Sequence, residues 1–466
     1  MIDRSRLGWM AAAILFGIAA AFVPRLRSYG SPRTEEAVRM APAVGMPGGP
    51  PTSAAGLQQR IAEMDGRLQR QPRDLAAAVL LSDALLRQAR ASNDARPANR
   101  ASEVLKAVLK EHPGQYDALR MLGAIDLSQH KFREALEVGT RARDERPDDA
   151  WNYGVMGDAL LELGDYDQAF AAFDKMMALR PNAAAYARIA YARELRGDLT
   201  GALEAMQVAL SAAAPQDPEA QAWHATQLGE LLLKTGRLPE ADREFRRAVF
   251  VYPDYPLANI GRGKVKMARG EHDEALKTFL DQLKRTPTLE LAARIGDLYA
   301  ERGDTVEAER YYQVAEDVAG PAIAQTEANL ALFLAERGRT LPEAVRIAET
   351  VAATRDDIFT DDALAWAYFK VGRLAEAQAA AARALRTGTK DDRILSHAAR
   401  IREAAGVRPE SLTPNPESRR YNGGSRGVAQ PGSAPALGAG GRWFESSRPD
   451  HFTRKSSQRP QRSRVS

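Results

Sequence analysis

The 466-residue chain contains no cysteine. That excludes a disulfide framework, a thiolate metal site and a cysteine nucleophile, and it leaves thiol usage silent about the cell compartment. Aromatic residues are scarce, at 7% with five tryptophans, and strand formers give way to Ala, Leu, Arg and Glu, a mixture that favours helix. No charge of one sign dominates. The net +4 resides at the two ends, since residues 417–466 carry ten Arg/Lys against three Asp/Glu and residues 1–33 carry five Arg against one Asp. About −7 is left on residues 34–416, so the body is mildly acidic and no nucleic-acid surface is expected of it.

Long hydrophobic runs are also lacking, with one exception near the start. Leu7 to Val23 is an uninterrupted uncharged stretch, with Arg4 and Arg6 before it and Arg25 and Arg27 after. As a helix rising about 1.5 Å per residue it reaches the short end of the range for membrane spans. The basic start and the small residues Ala19, Ala20 and Ala21 also fit a cleaved export signal, the second reading. Residues 1–27 are therefore expected to be a single-pass anchor in the cell membrane or a signal peptide whose cleavage would release the chain. With Arg on both flanks the excess of positive charge does not set an orientation; a short basic leader favours a body on the periplasmic or extracytoplasmic side. Residues 28–56, rich in Pro and Gly, are expected to be a disordered tether.

What the sequence does contain is a period. Pro113, Pro147, Pro181 and Pro215 are 34 residues apart, and Pro253, Pro287 and Pro321 resume the same spacing. With the proline at position 32, the unit from Tyr116 has Leu119, Leu122, Gly123, Ala135 and Ala142 at positions 4, 7, 8, 20 and 27. The unit from Ala222 repeats the pattern with Leu228, Gly229, Leu232, Gly236, Ala241, Phe245 and Ala248. Related sets begin at Ala150, Pro256 and Ile358. Small residues at positions 8 and 20 let paired helices approach. Gly near position 15, as at Gly164, Gly236, Gly270 and Gly372, ends a first helix in the left-handed conformation, and Pro at position 32 stops the second.

In period and pattern the stretch 57–406 resembles the tetratricopeptide repeat family. The resemblance implies an all-α fold, an α-solenoid superhelix of about nine helix-turn-helix repeats with a concave groove, preceded by a lead-in helix and closed by residues 392–406. A seven-residue insertion is expected around Ala91 to Pro97 and a longer loop at Ala212 to Pro218. In the family, positions 2, 5, 9, 12 and 13 of each first helix face the groove. Carried onto this chain they include Arg120, Leu127, Trp151, Leu161, Arg188, Trp223, Leu257, Ile260, Lys264, Met267, Arg294, Leu298, Phe359, Trp366 and Phe369. The Lys and Asn pattern with which some members clamp a terminal carboxylate is missing, since position 9 holds Ala124, Asp158, Ala192, Glu230 and Lys264.

Catalytic chemistry is absent from the pattern. The six histidines are scattered, no two at helical metal-pair spacing. His130 and His272 fall in inter-helix turns, where a solvated ring is expected. Gly261-Arg262-Gly263-Lys264 falls inside a helix of the repeat and lacks the spacing of a phosphate loop. No enzyme activity, cofactor or metal is expected; the partner is a protein or peptide, with the membrane contacted through residues 7–23. A membrane-tethered scaffold binding a segment of an envelope protein is the first reading. A cytoplasm-facing adaptor for an envelope biosynthesis enzyme is the second, and an RNA-associated protein acting through the basic tail is the third. That tail, residues 407–466, has a disordered composition. Trp443-Phe444-Glu445-Ser446 can be encoded as TGG TTC GAA TCC, which contains a motif of transfer RNA genes, so the tail is also readable as an accidental read-through extension.

Overall fold

The computed structural model describes residues 54–406 apart from 93–94, 216, 254 and 324–327. The expected anchor or signal, most of the tether and the tail lie outside the described residues. Among the described residues every regular element is a helix, and none is long and apolar enough to cross a membrane. A lead-in helix α1 (Ala54–Arg70) precedes nine hairpins. These are α2 (Leu75–Ser92) with α3 (Ala95–Glu111), α4 (Tyr116–Ser128) with α5 (Phe132–Glu145), and α6 (Ala150–Glu162) with α7 (Tyr166–Leu179). Then come α8 (Ala183–Leu195) with α9 (Leu199–Ala212), α10 (Pro218–Lys234) with α11 (Leu238–Val251), and α12 (Pro256–Ala268) with α13 (His272–Arg285). The last three are α14 (Leu289–Glu301) with α15 (Thr305–Ile323), α16 (Ala328–Glu336) with α17 (Leu341–Ala352), and α18 (Ile358–Lys370) with α19 (Leu374–Ala384). Helix α20 (Asp392–Ala404) closes the array, and each helix packs on its neighbours in sequence.

Local chemistry sets these boundaries. Side chains of Asp149, Asn182, Asp198, Asp217 and Thr288 accept backbone N–H groups at the starts of α6, α8, α9, α10 and α14, satisfying donors that the helix itself cannot. Gly164 and Gly236 end first helices at φ 79° and 72°. Pro147, Pro181, Pro253 and Pro287 each stand two residues beyond the end of a second helix. Gly320, at φ 56° just before Pro321, breaks α15 from the inside. The insertion expected around Ala91 to Pro97 is absorbed as added helix: α2 and α3 have 18 and 17 residues where α4 and α5 have 13 and 14.

The core between hairpins is a meshing of aromatic rings with missing side chains. Ala135, Ala169, Ala241, Ala275 and Ala377, all at position 20, are completely buried. The Phe245 ring, also completely buried, lies between Gly229 of its own unit and Gly261 of the next. A Cβ at Gly229 would stand 2.7 Å from Phe245 Cε1, so only glycine admits the ring. The second unit departs from the pattern at its turn. His130 holds the place that glycine fills elsewhere, at φ 58°, and its ring meets Phe132 edge-on at 5.7 Å. It is therefore not the solvated turn histidine that the sequence suggests. Burial, assisted by the Arg355 charge, holds its pKa down at about 4.

Arg355 is far from His130 in sequence, and its presence there reflects a closure of the superhelix. The turns that end α6, α8 and α10 meet the segments leading into α18 and α20. The Asp356 amide donates to the Glu162 carbonyl at 3.2 Å, the Ile358 amide donates to the Tyr166 hydroxyl at 2.9 Å, and Arg355 pairs with the Glu162 carboxylate. Lys234 bridges Glu194 at 2.7 Å and Asp391 at 3.4 Å. Leu161, Tyr191 and Leu195 share one apolar cluster with Ile358, Ala384 and Ile394. One edge of the helical ribbon, formed by units 3 to 5, is thus joined to the opposite edge of the last units.

Candidate partner-binding groove

The positions carried over from the repeat pattern separate into two sets. The first is buried within the protein. Arg188 is 2% exposed and makes a two-pronged pair with Asp158, Nε to Oδ1 at 2.9 Å and Nη2 to Oδ2 at 2.6 Å. Leu161 and Leu127 lie in the cores between hairpins, as does Leu298. Trp223 is buried edge-on against His224, with ring centroids 4.9 Å apart. Trp366 is buried and stacked on His397 at 3.9 Å, and half-buried Phe369 leans on it at 5.0 Å. Arg120 is buried with its guanidinium 4.9 Å from the Trp151 ring centroid. These side chains hold hairpins together and, as placed, offer a partner little or no surface.

The second set remains open. Leu257 is 47% exposed. Ile260 and Met267, on the same helix α12, are half-buried on the cluster formed by Phe279, Leu291, Ile295 and Leu298. Lys264, between them in sequence, donates to Glu230 Oε1 at 2.8 Å. The side chain of half-buried Arg294, on α14, makes no hydrogen bond and no ion pair among the described residues. Burial lowers its pKa, while the charges of Asp297 and Glu230 act in the opposite direction. Trp151 and Phe359 are half-buried at the two ends of the set.

A ladder of charge runs along the inner wall that residue-by-residue carry-over did not reveal. Asp158 pairs with Arg188, Glu230 with Lys264, and Asp297 with Arg337, the last through Oδ1 to Nε at 3.0 Å and Oδ2 to Nη2 at 2.6 Å. Each pair joins one unit's first helix to the next first helix or its end. Burial pushes the Asp158 carboxyl upward and the Arg188 charge opposes it. The signal was available in the sequence: an acid and a base separated by 30, 34 and 40 residues, close to one repeat. Among the described residues no group of His, Asp and Glu gathers as a metal would require.

Two family models described as tetratricopeptide repeat match the chain, one over residues 126–193 and the other over residues 98–150 and 226–290. No curated protein matches it. Among solved structures it is similar to human IFIT1, as a dimer with m7Gppp-AAAA, at 15% identity over 72% of this chain and 78% of that one, with a TM-score of 0.47. A tetratricopeptide repeat protein from Parabacteroides merdae is 18% identical over 52% of this chain and 94% of that one, with a TM-score of 0.38. Helix order, packing between successive hairpins and the matched segments together make this chain an all-α solenoid carrying tetratricopeptide repeats.

Proposed function

We propose that the protein is a membrane-tethered interaction scaffold that holds an extended segment of an envelope protein against the inner wall of units 5 to 7. The observation that carries this reading is the combination on α12 and α14. Exposed Leu257 and half-buried Ile260 and Met267 lie on α12; the last two pack against Leu291, Ile295 and Leu298 of α14, which also carries Arg294, a guanidinium with no ion pair among the described residues. Apolar anchors with a cation on the neighbouring helix suit an acidic segment with hydrophobic residues, the anchors retaining it and the charge steering its approach. Tethering rests on the apolar run from Leu7 to Val23, and placement of the body outside the cytoplasm rests on the short basic leader.

The test is crosslinking in cells with a photo-reactive residue at Ile260 or Met267, and at exposed Phe250 as the control. One captured protein at both groove sites, lost on Arg294→Ala and absent at Phe250, supports the reading. Capture at Phe250 alone, or capture indifferent to Arg294, would overturn it. Capture of RNA at the groove would replace the partner class. A topology reporter fused after residue 56 decides the compartment.

A further inference from the structure

The seam that closes the superhelix carries an inference about access to that wall. A repeat ribbon contacts only its neighbours, and stability of the array does not require its edges to meet. Here they do meet, through contacts about 190 residues apart in sequence: Glu162 with Arg355 and the Asp356 amide, and Tyr166 with the Ile358 amide. The contact is polar at its margin, around the apolar cluster that Leu161, Tyr191 and Leu195 form with Ile358, Ala384 and Ile394. It is also rich in ion pairs. Arg355 serves two carboxylates, Glu162 and Asp357, and Lys234 serves two others, Glu194 and Asp391. Ion pairs drawn out of water recover through their attraction only part of what desolvation costs.

We propose that this seam is a latch: closed, it seals the side of the concave channel over units 3 to 9, and opened, it admits an extended segment laterally to the inner wall. Charge biases it. The groups facing Glu162 are Arg355 and Asp357 from the segment before α18, Asp158 on its own helix, Tyr166 at the start of α7 and, over the Tyr166 ring at 5.1 Å, Arg386 from the end of α19. His130, across Arg355, is held neutral. Burial pushes the Glu162 carboxyl up to about 7, against an ordinary 4.5. A carboxyl more readily protonated in the closed form favours closure at low pH, and that advantage is lost as pH rises from about 4.5 through 7.

Two glycines provide a clean perturbation. Gly197, at φ 76°, faces Gly388 O and Lys390 Cγ across the seam, each 2.7 Å from where a Cβ would stand. Gly236, at φ 72°, has the same backbone conformation and nothing within 4 Å. Asn tolerates this conformation, so Gly197→Asn wedges the seam while Gly236→Asn shares only the backbone cost. Hydrogen exchange on the full chain reads the Asp356 and Ile358 amides. Exchange at least tenfold faster in Gly197→Asn than in Gly236→Asn, confined to the seam, is expected. Unchanged exchange, or acceleration spread through every unit, would overturn the latch.

For the charge bias, the absence of cysteine allows two dyes to be placed at Thr200→Cys and Leu395→Cys. Transfer efficiency should fall from pH 5 to pH 8, and Glu162→Gln should flatten the change. A flat wild-type profile, or a rise with pH, refutes the bias. The latch gains its purpose from the proposed groove, but both measurements need no partner. A failed seam therefore leaves the crosslinking result standing, and a failed crosslink leaves the seam.

Discussion

Gly229→Ala is the sharpest test of how this array is packed, because two effects of known sign oppose each other there. In an exposed helix interior, replacing Gly by Ala gains about 1 kcal/mol from helix propensity. At Gly229 the added Cβ would stand 2.7 Å from Phe245 Cε1 and 2.9 Å from both Cδ1 and Cζ. The ring cannot retreat. It is completely buried, and Gly261 of the following unit also lies against it, where a Cβ would stand 2.5 Å from Cδ1. Overpacking of this kind costs about 1–3 kcal/mol, so a net loss of up to about 2 kcal/mol is expected, concentrated in units 5 and 6. Gly66→Ala is the control. It lies in α1, its Cβ would meet only the Arg70 side chain at 3.4 Å, and it should be neutral or stabilising. Urea unfolding followed by circular dichroism, with hydrogen exchange to localise the change, measures both. Should Gly229→Ala prove as stable as Gly66→Ala, the wedged ring does not set the approach of these helices.

Four other outcomes are expected. Trp223→Ala should destabilise the fold by about 3–5 kcal/mol because the ring is buried; a folded, unaltered melting curve would return Trp223 to the groove surface. Ala275→Leu should cost about 1–3 kcal/mol at its hairpin, read by thermal melting and refuted by no change. Asp357→Ala removes the carboxylate that accepts from the Phe359 and Thr360 amides at 3.0 and 3.1 Å, and should cost at least ~1 kcal/mol; exchange at those two amides that stays slow would contradict it. His130 should titrate by NMR with a midpoint near 4. Since its folded pKa lies below the ordinary value, its contribution to stability is present above about 6.5 and lost as pH falls towards 4, and a midpoint near 6.5 would refute the burial.

The repeat was legible in the chain before any folding was considered. Its prolines, turn glycines and position-20 alanines act within a single hairpin or between adjacent ones, over distances that a 34-residue period spans, so period alone placed the hairpins and the turn at Gly164. The acids and bases of the inner ladder were legible too, since one-repeat spacing could have paired them. The environment of His130 was not, because the charge that helps hold its pKa down is that of Arg355, brought there by the superhelix rather than by the neighbouring unit. The division of the groove residues was equally hidden. Family positions gave Arg188, Trp223 and Ile260 the same standing, and only the third remains open, because exposure depends on how tightly successive first helices pack and on where the ribbon returns upon itself. Pitch and closure accumulate from small rotations summed over six units. Each rotation is set by side-chain volume at several contacts at once, and no local motif encodes the total; the meeting of the Glu162 turn with Arg355 therefore exists only in the folded superhelix.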